Sequence, residues 1–238
     1  VRIEQAAGFQ GLDELPPSVP NIMLQPNLLV NLDGKRIMDE EQMQNTTFLS
    51  NAASHQKGRI LFSIIDTSIA RYYIKNGIDE ICLVRPEEDV SDFMDGVKAA
   101  EDLGGTGLYK ADTLEELAEK CGINAENLEE TVENYNDYCD SVDEEFFKRK
   151  RYLRPLRKGP YYAAAIRPGG YGTVGGIRIN ENCECLNSDF EPIPGLYAAG
   201  ADACNIYDDS YMFLLPGNSM GWAVNSGRIA GMEAAAMI

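Results

Sequence analysis

Hydrophobic positions along the chain fall into three successive patterns. Two short apolar runs, residues 27–31 and 59–66, are too short for helices and rich in strand formers, so both are predicted as strands, the second buried. Asp33-Gly34 after the first run is a turn signal favouring positive φ, which predicts that Lys35-Arg36-Ile37-Met38 returns as the second strand of a hairpin. The polar stretch 40–57 is compatible with helix. Asp66-Thr67 can cap a helix, and Asn76-Gly77 supplies its stop. Ahead of these, residues 1–25 carry Gly8, Gly11 and Pro16-Pro17-Ser18-Val19-Pro20, a run that reads as a loop.

From residue 86 the period becomes helical. Pro86-Glu87-Glu88-Asp89 suits a first helical turn, with Pro in the leading position and acid at the positive dipole end. Thr113 before Leu114, Leu117 and Ala118 marks a cap and an amphipathic helix that stops at Cys121-Gly122. Asn124 opens the next, with Leu128, Val132 and Tyr135 on one face. Residues 112–141 are therefore expected as a helical hairpin on the surface of an α+β unit. Past residue 155, glycine and short β runs take over at 161–167, 175–180 and 195–199. The last element, 217–238, is a helix with small residues at Gly217, Gly221, Gly227, Ala230 and Gly231. The shift in composition places a boundary near 155, and no internal repeat is present.

Composition narrows the classes. At 238 residues with 44% hydrophobic and 25% charged residues, the chain is a globular protein of one large or two small domains. It holds no membrane span of about 18 apolar residues. The amino end, Val1-Arg2-Ile3-Glu4, has neither an initiator Met nor a signal-peptide core, which suggests that an upstream part is missing. A net charge of −17 argues against nucleic acid and anionic membrane as partners. Acid is dense from Asp112 to Glu145, then gives way to Lys148-Arg149-Lys150-Arg151, Arg154, Arg157 and Lys158. This reads as a solvated helical face and a basic connector, with a docking patch as the alternative. Six scattered cysteines form neither a disulfide framework nor zinc pairs, so a reducing, cytoplasmic compartment is expected. Cys183-x-Cys185 is the one spacing that would permit a redox role. His55, the only histidine, reads as a surface residue, and no metal site is visible.

The last 45 residues or so carry the chemistry. Pro194 to Ala203 reads as a turn and a buried strand whose carboxyl end, at Gly200-Ala201-Asp202, is opened by glycine, where open α/β sheets bind ligands. Pro216-Gly217-Asn218-Ser219-Met220-Gly221 then starts a helix whose free N–H groups can stabilise partial negative charge. On spacing alone, a strand–loop–helix that only packs remains an equal reading.

These segments resemble the fumarate reductase/succinate dehydrogenase flavoprotein family. The run from Pro194 to Gly231 is similar to its carboxy-terminal flavin motif. The run from Leu29 to Glu40 (Leu-Val-Asn-Leu-Asp-Gly-Lys-Arg-Ile-Met-Asp-Glu) resembles the segment opening its capping domain. Gly159-Pro160-Tyr161-Tyr162 with Pro168 to Gly176 resembles the return to its flavin domain. The resemblance implies an α+β chain made of a flavin-domain tail at 1–25, a capping (substrate) domain at 26–155 and the carboxy-terminal part of an α/β FAD-binding domain at 156–238. It implies FAD as cofactor in the intact enzyme, contacted by Gly175, Gly176, Gly200, Ala201, Asp202, Gly217, Asn218 and Ser219. The family's amino-terminal G-x-G-x-x-G fingerprint is absent, so the chain is expected to be a fragment whose missing half, or a partner chain, anchors the pyrophosphate.

The family's fumarate chemistry does not carry over. Its proton-donating arginine falls at Gln44, which cannot act as an acid. Tyr171-Gly172 stands where the family has a histidine, and a second arginine falls at Leu214. A small dianion is therefore not the expected substrate. Tyr207-Asp208-Asp209-Ser210-Tyr211 resembles a variant found in relatives acting on larger, less charged molecules. Tyr171 and Tyr211 become the candidate proton donors, with Asp209 to orient; ordinary packing of both rings is the competing reading. The expectation is hydride transfer between flavin N5 and an activated C–C double bond of a small-molecule substrate, under a cap that closes to exclude water, with the electron donor undetermined. A non-catalytic interaction module without FAD is the alternative.

Overall fold

The computed structural model describes residues 2–9, 15–81, 86–207, 211–212 and 215–237, the side chains of 2–9 and of Tyr171 excepted. The chain forms two compact units, one of residues 7–169 and one of residues 1–6 with 170–238. It is a mixture of helices and small sheets, as an α+β reading requires.

Strand β1 (Arg2–Phe9) begins the chain, followed by helix α1 (Ser18–Met23) and strand β2 (Leu28–Val30). Residues 1–25 are thus not all loop. The prolines that suggested one occupy the cap (Pro17) and first turn (Pro20) of α1, where a missing N–H costs no helical bond. Helix α2 (Thr46–Ser54) is capped by the Asn45 side chain. Strand β3 (Leu61–Asp66) is buried along its whole length, as expected. Helix α3 (Thr67–Asn76) starts at the Asp66 carboxylate, which accepts the N–H of Ile69 at 2.9 Å, and stops at Gly77.

Helix α4 (Phe93–Leu103) starts later than the Pro86-Glu87 signal suggested; residues 86–90 are irregular. After strand β4 (Leu108–Ala111), α5 (Leu114–Cys121) and α6 (Ala125–Asp140) form the expected helical pair, capped by Thr113 and Asn124. Leu117, Leu128, Val132 and Tyr135 are buried, so the apolar faces turn inward and the carboxylates outward. Strand β5 (Tyr161–Gly176) pairs antiparallel with β3, from Leu61 opposite Ile166 to Asp66 opposite Tyr161, and with β4, from Leu108 opposite Ala164 to Ala111 opposite Tyr161.

β2 pairs with β3, Leu28 opposite Ile64, so Lys35–Met38 is no return strand. Asp33-Gly34 does make a tight turn, with the Asn31 N–H donating to the Lys35 carbonyl at 3.0 Å. Beyond it the chain dives inward to bury Arg36. That guanidinium donates to both Glu40 oxygens (2.8 and 2.8 Å) and both Asp143 oxygens (2.9 and 2.8 Å). All three side chains are at most 1% exposed. Lys148, also fully buried, donates to the Tyr135 hydroxyl at 2.8 Å and lies 3.5 Å from Glu40. Burial alone would raise the Asp143 pKa. Hydrogen bonds and charge from Arg36, with the N–H groups of Lys148 and Phe146, reverse that and bring it to about 2. Burial also lowers Lys148 from the ordinary lysine value, against the pull of Glu40.

In the second unit the carboxyl end of β5 pairs with β8 (Ala203–Cys204), Gly175 opposite Cys204 and Gly176 opposite Ala203. Between them β6 (Glu184–Leu186) and β7 (Pro192–Tyr197) form an antiparallel ribbon. Residues 177–180 are not strand, apart from one bridge between Ile179 and Cys185. Helix α7 (Asn218–Ala236) closes the chain, and Ser226 is its only buried residue. Among the described residues no helix is long and apolar enough to cross a membrane, and no cluster of metal-ligating side chains occurs.

Candidate functional site

The glycine-rich corner of the second unit is built by short-range connections. The Gly200-Ala201-Asp202 segment is a 3-10 turn rather than a strand end. It is clasped from α7: the Gly200 N–H donates to Ser226 Oγ at 2.9 Å, and Trp222 Nε1 donates to the Gly200 carbonyl at 3.1 Å. The Ser226 hydroxyl in turn donates a hydrogen bond to the Trp222 carbonyl at 2.6 Å. Thr173 Oγ1 donates to the Ala201 carbonyl at 2.9 Å, and the Ile177 N–H to the Asp202 carbonyl at 2.7 Å. Trp222 and Ser226 were not singled out from sequence; a serine within a run of small residues gave no distinguishing signal.

The glycine pair divides in role. A Cβ on Gly176 (φ +139°) would stand 2.3 Å from the Asp202 carbonyl oxygen, so this position is bare because backbone packs on it. Beside Gly175 (φ +89°) lies open space. Gly217, at φ +76°, is the cap residue of α7, and no side chain caps that helix start. First-turn N–H groups are therefore left to be met from outside the helix.

Next to this start sits a polar knot. The Asn218 Nδ2 donates to the Tyr211 hydroxyl at 3.2 Å, the Met212 carbonyl at 2.9 Å and the Leu215 carbonyl, while its Oδ1 accepts the Tyr207 hydroxyl. Ser219 Oγ donates to the Tyr211 hydroxyl at 2.7 Å. The Tyr207 and Tyr211 rings lie 5.0 Å apart. The Tyr211 oxygen thus accepts two hydrogen bonds, one from Asn218 and one from Ser219.

Of the residues predicted from sequence, the structure brings together Gly200, Ala201 and Asp202 with Gly175 and Gly176 through β8. It also brings Tyr211 onto Asn218 and Ser219. Tyr171 lies on β5, its side chain outside the described set, and Asp209 and Leu214 lie outside the described residues. Gln44, in the other unit, donates to the Leu24 carbonyl at 3.1 Å. Cys183 and Cys185 are buried, and burial raises the Cys183 pKa, which disfavours its thiolate.

Residues 12–220 match the family model described as the FAD binding domain. The chain belongs to that family. The resemblance to fumarate reductase-type flavoproteins read from the sequence stands, and FAD is the cofactor that this membership assigns to the intact protein. The FAD-domain chain is 33% identical over 214 residues to the vinyl phenol reductase of Lactiplantibacillus plantarum, covering 89% of this chain and 43% of that protein. It is 32% identical to the urocanate reductase of Eggerthella lenta, covering 88% of this chain and 31% of that one. The open conformation of a flavocytochrome c3 fumarate reductase superposes with a TM-score of 0.66 at 28% identity, over 98% of this chain and 36% of that one. The chain therefore spans less than half the length of these relatives.

The corner suits a flavin in kind. An uncapped helix start offers N–H groups to a ring edge that gains negative charge on reduction, and open space beside Gly175 leaves room for a flat group against backbone.

Proposed function

We propose that this chain supplies the capping domain and the carboxy-terminal flavin segment of an FAD-dependent reductase acting on an activated C–C double bond, with the capping domain in residues 26–155. FAD, when bound, supplies the hydride. The N–H groups of Ser219 and Met220 at the α7 start, the open side of Gly175 and the Gly200–Asp202 turn are the groups of this chain that would hold its ring system. Tyr211 delivers the proton to the neighbouring carbon. Tyr171 is a second proton-bearing group on the same part of the chain.

The observation that carries this reading is the Tyr211 hydroxyl, accepting from Ser219 and Asn218 at the uncapped start of α7. Two donors already fixed on the oxygen stay in place as its proton leaves, so no rearrangement is required at that moment. The three relatives named above support the reaction class: vinyl phenol, urocanate and fumarate each contain a C–C double bond conjugated to an electron-withdrawing or aromatic group. Gln44 in place of the family's arginine, and an apolar residue at 214, favour a substrate less charged than fumarate.

The test uses the complete flavoprotein containing this chain, with reduced methyl viologen as donor and 4-vinylphenol, urocanate and fumarate as acceptors. Turnover of at least one, with fumarate the poorest, is expected. Tyr211→Phe should lower kcat by about 10²–10⁴-fold, the span of general-acid contributions, with FAD content unchanged. A colourless complete protein that turns over none of the three would favour the interaction-module alternative.

A further inference from the structure

Asn218 was expected from sequence to touch the cofactor, and in the structure its side-chain amide is engaged by residues that precede the helix. An asparagine amide offers two donor hydrogens and an acceptor oxygen with two lone pairs. Both hydrogens are committed to three acceptors, the Tyr211 hydroxyl, the Met212 carbonyl and the Leu215 carbonyl, and the oxygen takes the Tyr207 hydroxyl. Even its backbone N–H leans back to the Leu215 carbonyl at 3.3 Å. One side chain on the first residue of a 19-residue helix thus holds four residues that precede the helix. Two of the four are tyrosines bound through their hydroxyls, so the fastening acts at the reactive end of each ring rather than along its apolar body.

We infer that Asn218 is a positioning residue: it latches Tyr207, Tyr211, Met212 and Leu215 onto the first turn of α7 and thereby aims the Tyr211 hydroxyl, leaving flavin contact at this helix start to backbone N–H groups. This rests on Tyr211 being the proton donor. Ser219 helps at 2.7 Å from the same oxygen, but among the described residues its side chain makes no other hydrogen bond to the latched set. Removal of the Asn218 amide releases all four contacts at once.

Asn218→Leu keeps the shape and removes every side-chain hydrogen bond; Asn218→Asp, which keeps the Tyr207 acceptor but cannot donate, serves if the first does not fold. In the complete flavoprotein, with 4-vinylphenol and reduced methyl viologen, Asn218→Leu is expected to lower kcat by about 10–100-fold, the scale of a misplaced group. KM should change by less than about threefold on that basis, and FAD affinity should stay as it was. In the Tyr211→Phe background the same change should cost less than about twofold more, because coupled residues do not add. Amide hydrogen exchange at Tyr211, Met212 and Leu215 should rise by about tenfold or more and nowhere else, a readout that needs no substrate. Unchanged exchange, loss of FAD, or an effect that adds fully to Tyr211→Phe would overturn the latch. Full activity in Tyr211→Phe would instead remove the proton-donor reading, and exchange alone would then decide the latch.

Discussion

Replacing Arg36 by Met tests the buried ion cluster of the 7–169 unit. The change keeps an unbranched stem against the Tyr135 and Phe146 rings, whose centroids lie 5.3 and 4.9 Å from the guanidinium carbon. It removes one positive charge from a buried set of two cations and two carboxylates, to which the part-exposed Glu145 adds a third carboxylate 3.3 Å from Arg36. Glu40 and Asp143 are then left with Lys148, 3.5 Å from Glu40 and shared with the Tyr135 hydroxyl. Breaking a buried pair by deleting one partner costs about 3–5 kcal/mol. An escape sets the ceiling: the variant can discharge one carboxylate, and protonating an ordinary Glu at pH 7 costs about 3.7 kcal/mol. The expected loss is therefore about 3–4 kcal/mol, or roughly 6–16 °C in Tm for a domain of this size. Urea unfolding followed by circular dichroism measures it, with Arg157→Met as control. Arg157 pairs with Asp140 at the surface, where the side chains are 55% and 68% exposed and solvent screening leaves the pair little to contribute. Because the escape is proton uptake, the Arg36→Met deficit should shrink as pH is lowered toward 5. A deficit equal to the control's, or one that ignores pH, would refute the reasoning.

Two further expectations concern acid and packing. Asp143 is held at about 2, below the carboxylate's ordinary 3.8, so its contribution of about 2 kcal/mol is complete above pH 4 and is lost as pH falls through 2; acid titration of wild type against Asp143→Asn should show the two curves converging at the acid end. Gly176→Ala would put a methyl 2.3 Å from the Asp202 carbonyl oxygen at a φ that side chains rarely adopt, so it should destabilise by at least about 1–3 kcal/mol and weaken FAD retention, seen as lower flavin absorbance per mole of protein; Gly175→Ala, with open space around it, should lose less stability.

What was legible in the sequence was local. Asp66 before Thr67, Thr113 before Leu114, and Asn124 before Ala125 each cap a helix with their own side chains, and Gly77 and Gly122 end two of those helices, all within a few residues of chain. What failed was decided at a distance. Lys35–Met38 looked like the second arm of a hairpin, but the Arg36 guanidinium binds Asp143, 107 residues away. β4 went unread because a four-residue strand among glycines gains its pairing only from β5. The glycine corner stood out by its residue types, whereas the hydrogen bonds of the Asn218 amide to two folded-back tyrosines left no mark in the sequence, because an asparagine opening a helix looks the same whatever it bonds.

The Leu29 to Glu40 stretch that marks this chain's kinship ends, in space, at Arg36 and Glu40, sealed away from water, with the Arg36 guanidinium bonded to both Glu40 and Asp143. Its work is to hold a frame. A search keyed to such a signature will collect proteins that share a chassis while their reactions diverge. Sorting those proteins by what they consume would need a different yardstick, and on the function proposed above the identities at positions 44, 171, 211 and 214 would supply it.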